Sequence, residues 1–308
     1  MNGKTAVVAE GGGQRGIYAA GVFDAFLAQS FQPFDLGIGV SAGSQNLLAY
    51  FLEQQGYARR AIVELTRRPD FLVPHRCLMS RSILDLDGYF ETSRSDPEFK
   101  LPYDNIASMR KKRRLVAVAT DSETLDPVYL DLDSNNALVF IKASSAVPFL
   151  YRRGVAINGR TLVDGGVADP SPIRHAYEQG ARKIVLVRAT PLNDPGKLDS
   201  RWSRLLERTR RVPIKPERLK RMLERHALAM QDTKDFIDNL PADLQLQIIA
   251  PQFALKSRVF GSQPQHLTED YKQGFDSGLR AVNELAAWVA PSSAVLRRPE
   301  VNAQTNFQ

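Results

Sequence analysis

Two junctions of one kind in the first 56 residues constrain the fold more than any other feature of the chain. Thr5 to Ala9 is a short apolar run, and Glu10 with the glycines Gly11, Gly12, Gly13 and Gly16 follows it. A helical pattern then runs from Ile17 to about Gln29, with Ala19, Val22 and Phe26 on one side and Ala20, Phe23 and Leu27 beside them. Pro33 breaks it. A second apolar run, Phe34 to Val40, ends at Ser41, and Leu47, Leu48, Phe51 and Leu52 recur at helical spacing before Gly56 interrupts. Strand, tight turn and helix, given twice in succession, is the pattern of an α/β fold.

The later chain continues that pattern less regularly. Leu115 to Thr120, Val128 to Leu132, Arg160 to Val163, Lys183 to Ala189 and Leu244 to Ala250 read as strands. Ala137 to Ala143 fits helix or strand equally. After Pro191 the sequence turns charged and helical through Phe236, and Glu269 to Val289 is helical again. The expected organisation is an α/β unit over residues 1–190. A basic, mostly helical region over 191–290 packs on it, and a loose tail follows over 291–308. The expected fold is three layers, a mostly parallel central sheet between helices, with a largely helical C-terminal extension.

Gly39-Val40-Ser41-Ala42-Gly43 matches G-x-S-x-G, and it falls where a strand turns into a helix. Small flanking residues permit the strained turn that exposes a serine hydroxyl at a helix start. The plainer reading has Ser41 as a helix cap. Gly11-Gly12-Gly13 offers backbone N–H groups for an oxyanion, and Arg15 is placed to steady that loop. Gly11, Gly13 and Gly16 also satisfy G-x-G-x-x-G, a dinucleotide fingerprint. That reading needs an acid at the end of the second strand. Asp35 stands at the beginning of that run, and Ser41 is left unexplained.

A serine nucleophile needs a base. His75, His175, His226 and His266 are the histidines, none in a distinctive setting. Asp164-Gly165-Gly166 ends an apolar run, although Asp-Gly is also an ordinary turn dipeptide.

Composition narrows the classes. The 308 residues are 43% hydrophobic and 24% charged, ordinary for a chain with a packed core. No apolar stretch approaches the roughly 18 residues of a membrane-spanning helix, and the start lacks the apolar region of a signal peptide. Cys77 is the single cysteine, so no intrachain disulfide forms, which fits a cytoplasmic setting. The net charge of +7 concentrates in ten basic residues from Arg201 to Arg225, opposed by Glu207, Glu217 and Glu224. Such a run is a solvated surface or a contact for anionic headgroups at the inner membrane face. No nucleic-acid-binding motif accompanies it.

Taken together, Gly11-Gly12-Gly13-Gln14-Arg15-Gly16, Gly39-Val40-Ser41-Ala42-Gly43 and Asp164-Gly165-Gly166 resemble the patatin-like phospholipase family in order and spacing. Ala143-Ser144-Ser145-Ala146-Val147-Pro148 resembles a fourth family segment. The resemblance covers about residues 5 to 190. It implies hydrolysis of lipid or other acyl esters by a Ser41–Asp164 dyad without a catalytic histidine, a metal or a cofactor. It further implies an oxyanion held by the N–H groups of Gly12 and Gly13, with Arg15 bracing their loop.

Overall fold

The computed structural model describes residues 3–79, 82–192 and 216–289. One eight-stranded sheet organises them, formed by β1 (Lys4–Ala9), β2 (Leu36–Val40), β3 (Arg114–Asp121), β4 (Pro127–Asp131), β5 (Val155–Ile157), β6 (Arg160–Asp164), β7 (Ala181–Val187) and β8 (Gln245–Ile249). The spatial order is β5-β6-β3-β2-β1-β7-β8, and β4 also pairs with β3. β3, β2, β1, β7 and β8 run parallel. β4 and β6 are antiparallel to β3.

The helices are α1 (Ile17–Ala28), α2 (Ala42–Phe51), α3 (Tyr57–Glu64), α4 (Leu86–Ser95), α5 (Ile106–Arg110), α6 (Ala137–Ser144) and α7 (Ile173–Glu178). Two longer ones follow, which we call the basic helix (Pro216–Asp238) and the long helix (Pro264–Val289). The undecided segment at 137–143 is helix α6. The long helix begins at Pro264, ahead of the expected Glu269, because a proline is well suited to a first helical turn.

The strand alternation builds the layers. Val7, Ala9, Ala117, Ala119, Val185 and Val187 face one core with α1, α2 and the long helix. Ala6, Val8, Ile38, Val40, Val118 and Leu186 face the other, against Ile173 and Ala176 of α7 and Phe236 of the basic helix. α1 is buried from Ile17 to Phe26, as a helix that is apolar all round must be. It lies between the sheet and the long helix. The backbones there approach so closely that a Cβ at Gly274 would sit 2.0 Å from the Tyr18 carbonyl oxygen.

The chain after residue 216 therefore joins the same sheet and the same cores. β8 extends the sheet beside β7, with Ile249 opposite Val187. Of the ten basic residues between Arg201 and Arg225, the six from Arg201 to Lys215 lie outside the described residues, as does the tail from 290. Among the described residues no helix is long and apolar enough to cross a membrane.

Candidate functional site

Sheet pairing alone brings Ser41 and Asp164 together. β2 pairs with β3 over 114–118 and β4 pairs with it over 116–120, so these two occupy opposite edges of β3. β6 pairs over 119–121, overlapping β4, and so must take the edge that β2 uses. Val40 is opposite Val118, and Asp164 is opposite the next residue, Ala119. β2 and β6 thus end against each other, with Ser41 leaving one and Asp164 closing the other.

The turn at Ser41 is tight. Its φ of 53° and ψ of −123° lie outside the usual regions for a residue with a side chain. A Cβ at Gly39 would come within 2.4 Å of the Ser44 Cα, and one at Gly43 within 2.3 Å of the Ala9 carbonyl oxygen. Both flanking positions therefore refuse any side chain. Ser41 makes no side-chain cap to α2. Its hydroxyl instead stands beside the Asp164 carboxyl, close enough to act on its pKa, and its N–H donates to Ser144 Oγ at 2.9 Å.

Asp164 is 5% exposed. Burial raises its carboxyl to a pKa of about 6, while the hydrogen bonds from Ser41 and from the Gly166 N–H pull the other way. The Gly166 bond is 2.8 Å long. A Cβ at Gly165 would meet the Val118 carbonyl oxygen at 2.1 Å, which holds this turn against β3.

The glycine loop runs beside the serine: a Cβ at Gly11 would lie 3.1 Å from Ser41 Cβ. Gly13 adopts a left-handed φ of 57°, and Gly16 opens the helix that follows. Among the described residues, the N–H groups of Gly11, Gly12 and Gly13 have no backbone acceptor. Arg15 is buried and donates to the Ala189 carbonyl, away from the pocket, so it braces the loop from behind. Gln14 does more than the sequence indicated. It is 2% exposed, its N–H donates to the Val259 carbonyl at 2.9 Å, its amide donates to Thr66 Oγ1 at 2.9 Å, and it accepts from the Ser262 N–H at 2.8 Å.

Ser41 opens into a pocket with about 480 Å³ of open space. Its walls are mostly apolar, with Ile62, Phe71, Leu84, Leu86, Val147 and Phe260 among them. A polar row crosses one side: Tyr89 Oη donates to Gln45 Oε1 at 2.6 Å, and Gln45 Nε2 donates to Ser145 Oγ at 3.0 Å. Ser144 and Ser145 belong to the fourth recognised segment, whose sequence gave them no individual role. Gln45, Tyr89 and Phe260 carried no sequence signal.

None of the four histidines lines the pocket. His175 stacks on Tyr129, and burial lowers its pKa to about 4, with Arg114 adding to the effect. His226 of the basic helix bonds through Nδ1 to the Gly166 carbonyl, behind the aspartate turn. Asp35 sits at the opposite end of the sheet from the glycine loop, accepting from the Thr5 N–H at 2.8 Å. No acid meets the ribose position that the dinucleotide reading requires. Among the described residues no group of three or more His, Cys, Asp or Glu side chains forms a metal site.

Two family models match parts of the chain. The family model described as patatin-like phospholipase matches residues 7–177, and a model described as a domain of unknown function, DUF6363, matches 217–290. The uncharacterized protein YjjU of Escherichia coli strain K12 is 35% identical over 294 residues, spanning 94% of this chain and 81% of YjjU. Two distant structural similarities are to VipD from Legionella pneumophila and to the type III effector protein ExoU. VipD gives a TM-score of 0.44 at 12% identity, covering 92% of this chain and 67% of VipD. ExoU gives 0.35 at 10% identity, covering 92% of this chain and 53% of ExoU.

Proposed function

The chain belongs to the patatin-like phospholipase family, and from that premise we propose that it hydrolyses lipid acyl esters with Ser41 as nucleophile and Asp164 as base. The observation that carries this reading is Ser41, on a strained strand-to-helix turn lining an apolar pocket, with the buried Asp164 carboxyl beside it.

In this reading Ser41 Oγ attacks the ester carbonyl and its proton passes to Asp164. The carbonyl oxygen becomes an oxyanion, held by the N–H groups of Gly12 and Gly13 in the glycine loop beside Ser41. Collapse breaks the ester C–O bond. Asp164 returns the proton to the departing alcohol, and Ser41 keeps the acyl group. Asp164 then takes a proton from water as the water oxygen attacks the acyl carbonyl, the bond to Ser41 Oγ breaks, Asp164 returns the proton to Ser41, and the fatty acid leaves.

A carboxylate is ordinarily too weak a base for this work. Burial answers part of the difficulty, because a pKa of about 6 brings the group nearer to neutrality while leaving it ionised at pH 7. The strained backbone at Ser41 and the bond from its N–H to Ser144 hold the turn that carries the hydroxyl, which supports this pairing.

The proposal extends to anionic membrane surfaces through the basic run. Arg218 and Arg225 donate to the carbonyls of Ser122 and Leu125, so they hold the basic helix in place. Lys220 and Arg221 are exposed. Faster hydrolysis of anionic vesicles, weakening with salt, is the expected signature.

Labelling with a fluorophosphonate, which traps activated serines, tests the core of the reading. The parent protein is expected to label and Ser41→Ala to remain unlabelled while still folded. Equal labelling of both, or none of the folded parent, would overturn it.

A further inference from the structure

We propose that Phe260, delivered by the segment that matches a domain of unknown function, is a specificity-determining wall of the acyl pocket. This rests on the hydrolase reading above.

Every other pocket-lining residue lies within the span matched by the patatin-like model, and Phe260 is the one contributed by residues 217–290. Its ring packs against the buried apolar cluster that also holds Phe71, Leu84, Leu86 and Val147. Phe260 is half-buried and lines the pocket. A bound acyl chain entering from Ser41 would be covered there by this side chain.

A wall selects only if it stays in place, and two sets of bonds hold this one. Below it, the buried Asp270 of the long helix accepts from the N–H groups of Lys256 at 3.1 Å and Ser257 at 2.7 Å. The Arg258 N–H donates to Ser262 Oγ at 2.9 Å, closing the loop on itself. Toward the serine, Gln14 takes the Ser262 N–H and gives its own N–H to Val259. Gly13 fits under that loop because it lacks a Cβ, which would lie 2.4 Å from the Val259 carbonyl oxygen. The two bonds of Gln14, to Val259 and from Ser262, therefore fix the glycine loop and the pocket wall together. The segment of unknown function is, on this geometry, part of the substrate site.

The chemistry that such a wall reads is aliphatic length. Each methylene it covers is worth roughly fourfold in binding. Losing the ring leaves the distal methylenes in water and flattens that dependence.

The test measures kcat/KM for nitrophenyl acetate and octanoate with the parent, Phe260→Ala and Phe253→Ala. Phe253 is on the same loop, 67% exposed and outside the pocket lining. The octanoate-to-acetate ratio is expected to fall about tenfold in Phe260→Ala, mainly through KM, and to hold in Phe253→Ala. If Phe260→Ala does not fold, Phe260→Leu is read in the same way, with a fall of about threefold expected. A folded Phe260 variant with the parent's ratio, or a higher one, overturns the assignment and leaves the hydrolase reading standing. A parent without Ser41-dependent turnover of either ester overturns both.

Discussion

Replacing Asp164 by asparagine separates two consequences of its burial. The carboxyl is buried, and its pKa stands at about 6 against an ordinary 3.8. Each pKa unit is worth about 1.4 kcal/mol, so the ionised carboxylate costs the folded protein about 3 kcal/mol. The sign follows from the direction of the displacement. The folded state binds this proton more tightly than the unfolded chain, so the cost is absent below about pH 4. It grows as pH rises through 6 and is complete above that. Asp164→Asn is nearly isosteric and carries no charge. It is therefore expected to be more stable than the parent by about 3 kcal/mol at pH 8, seen as a rise in Tm of about 5 °C. The difference should shrink toward zero by about pH 4. Urea denaturation of both proteins across that range measures it directly. Turnover moves the opposite way, falling about a thousandfold or more, as for loss of a catalytic partner. A variant no more stable than the parent at pH 8, or one whose advantage does not change with pH, would refute the burial argument. Full turnover would remove Asp164 from the chemistry.

Three further outcomes follow from the geometry. In the parent, kcat/KM should rise with pH through a midpoint near 6 and then level, since the ionised form of Asp164 is the active one; a pH–rate profile checks this. Gln14→Ala removes a buried side chain that bonds both Thr66 and Ser262, and should cost about 2 kcal/mol in urea melts. It should also lower kcat about tenfold by loosening the glycine loop, which steady-state kinetics would register. Gly274→Ala forces a methyl against the Tyr18 carbonyl where α1 meets the long helix, and should lower stability by about 3 kcal/mol in the same melts.

The parts of this molecule that the sequence discloses are those set by local patterns. β1, β2, β3 and β7 are largely buried on both faces, so they read as short apolar runs. The Ser41 turn was legible because close backbone approaches, of Gly39 to Ser44 and of Gly43 to Ala9, demand glycine at both flanking positions and so leave a G-x-S-x-G pattern. Helix α6 was ambiguous because Ala137 to Ser144 is only eight residues long, too short for either period to declare itself. β5 escaped notice because it has three residues and one buried side chain. The supporting residues of the site were illegible for a different reason. Gln14 meets Ser262 across 248 positions, and neither residue type announces a partner. Phe260 lies outside any regular element, where a lone aromatic in a polar stretch carries no pattern. Asp164 was found through the order of family motifs, since its turn alone looks like many others.

The edge that β2 and β6 share on β3 has a bearing on how such enzymes can diversify. Val40, just before Ser41, is registered at Val118 and Asp164 at Ala119, both on one strand. The connections on either side of β3, from α2 to α5 and from β4 to β5, can lengthen or shorten without changing that registration. Those same connections supply most of the pocket. A lineage can therefore remodel what it accepts by insertion and deletion, while the reacting pair stays aligned by a few backbone hydrogen bonds.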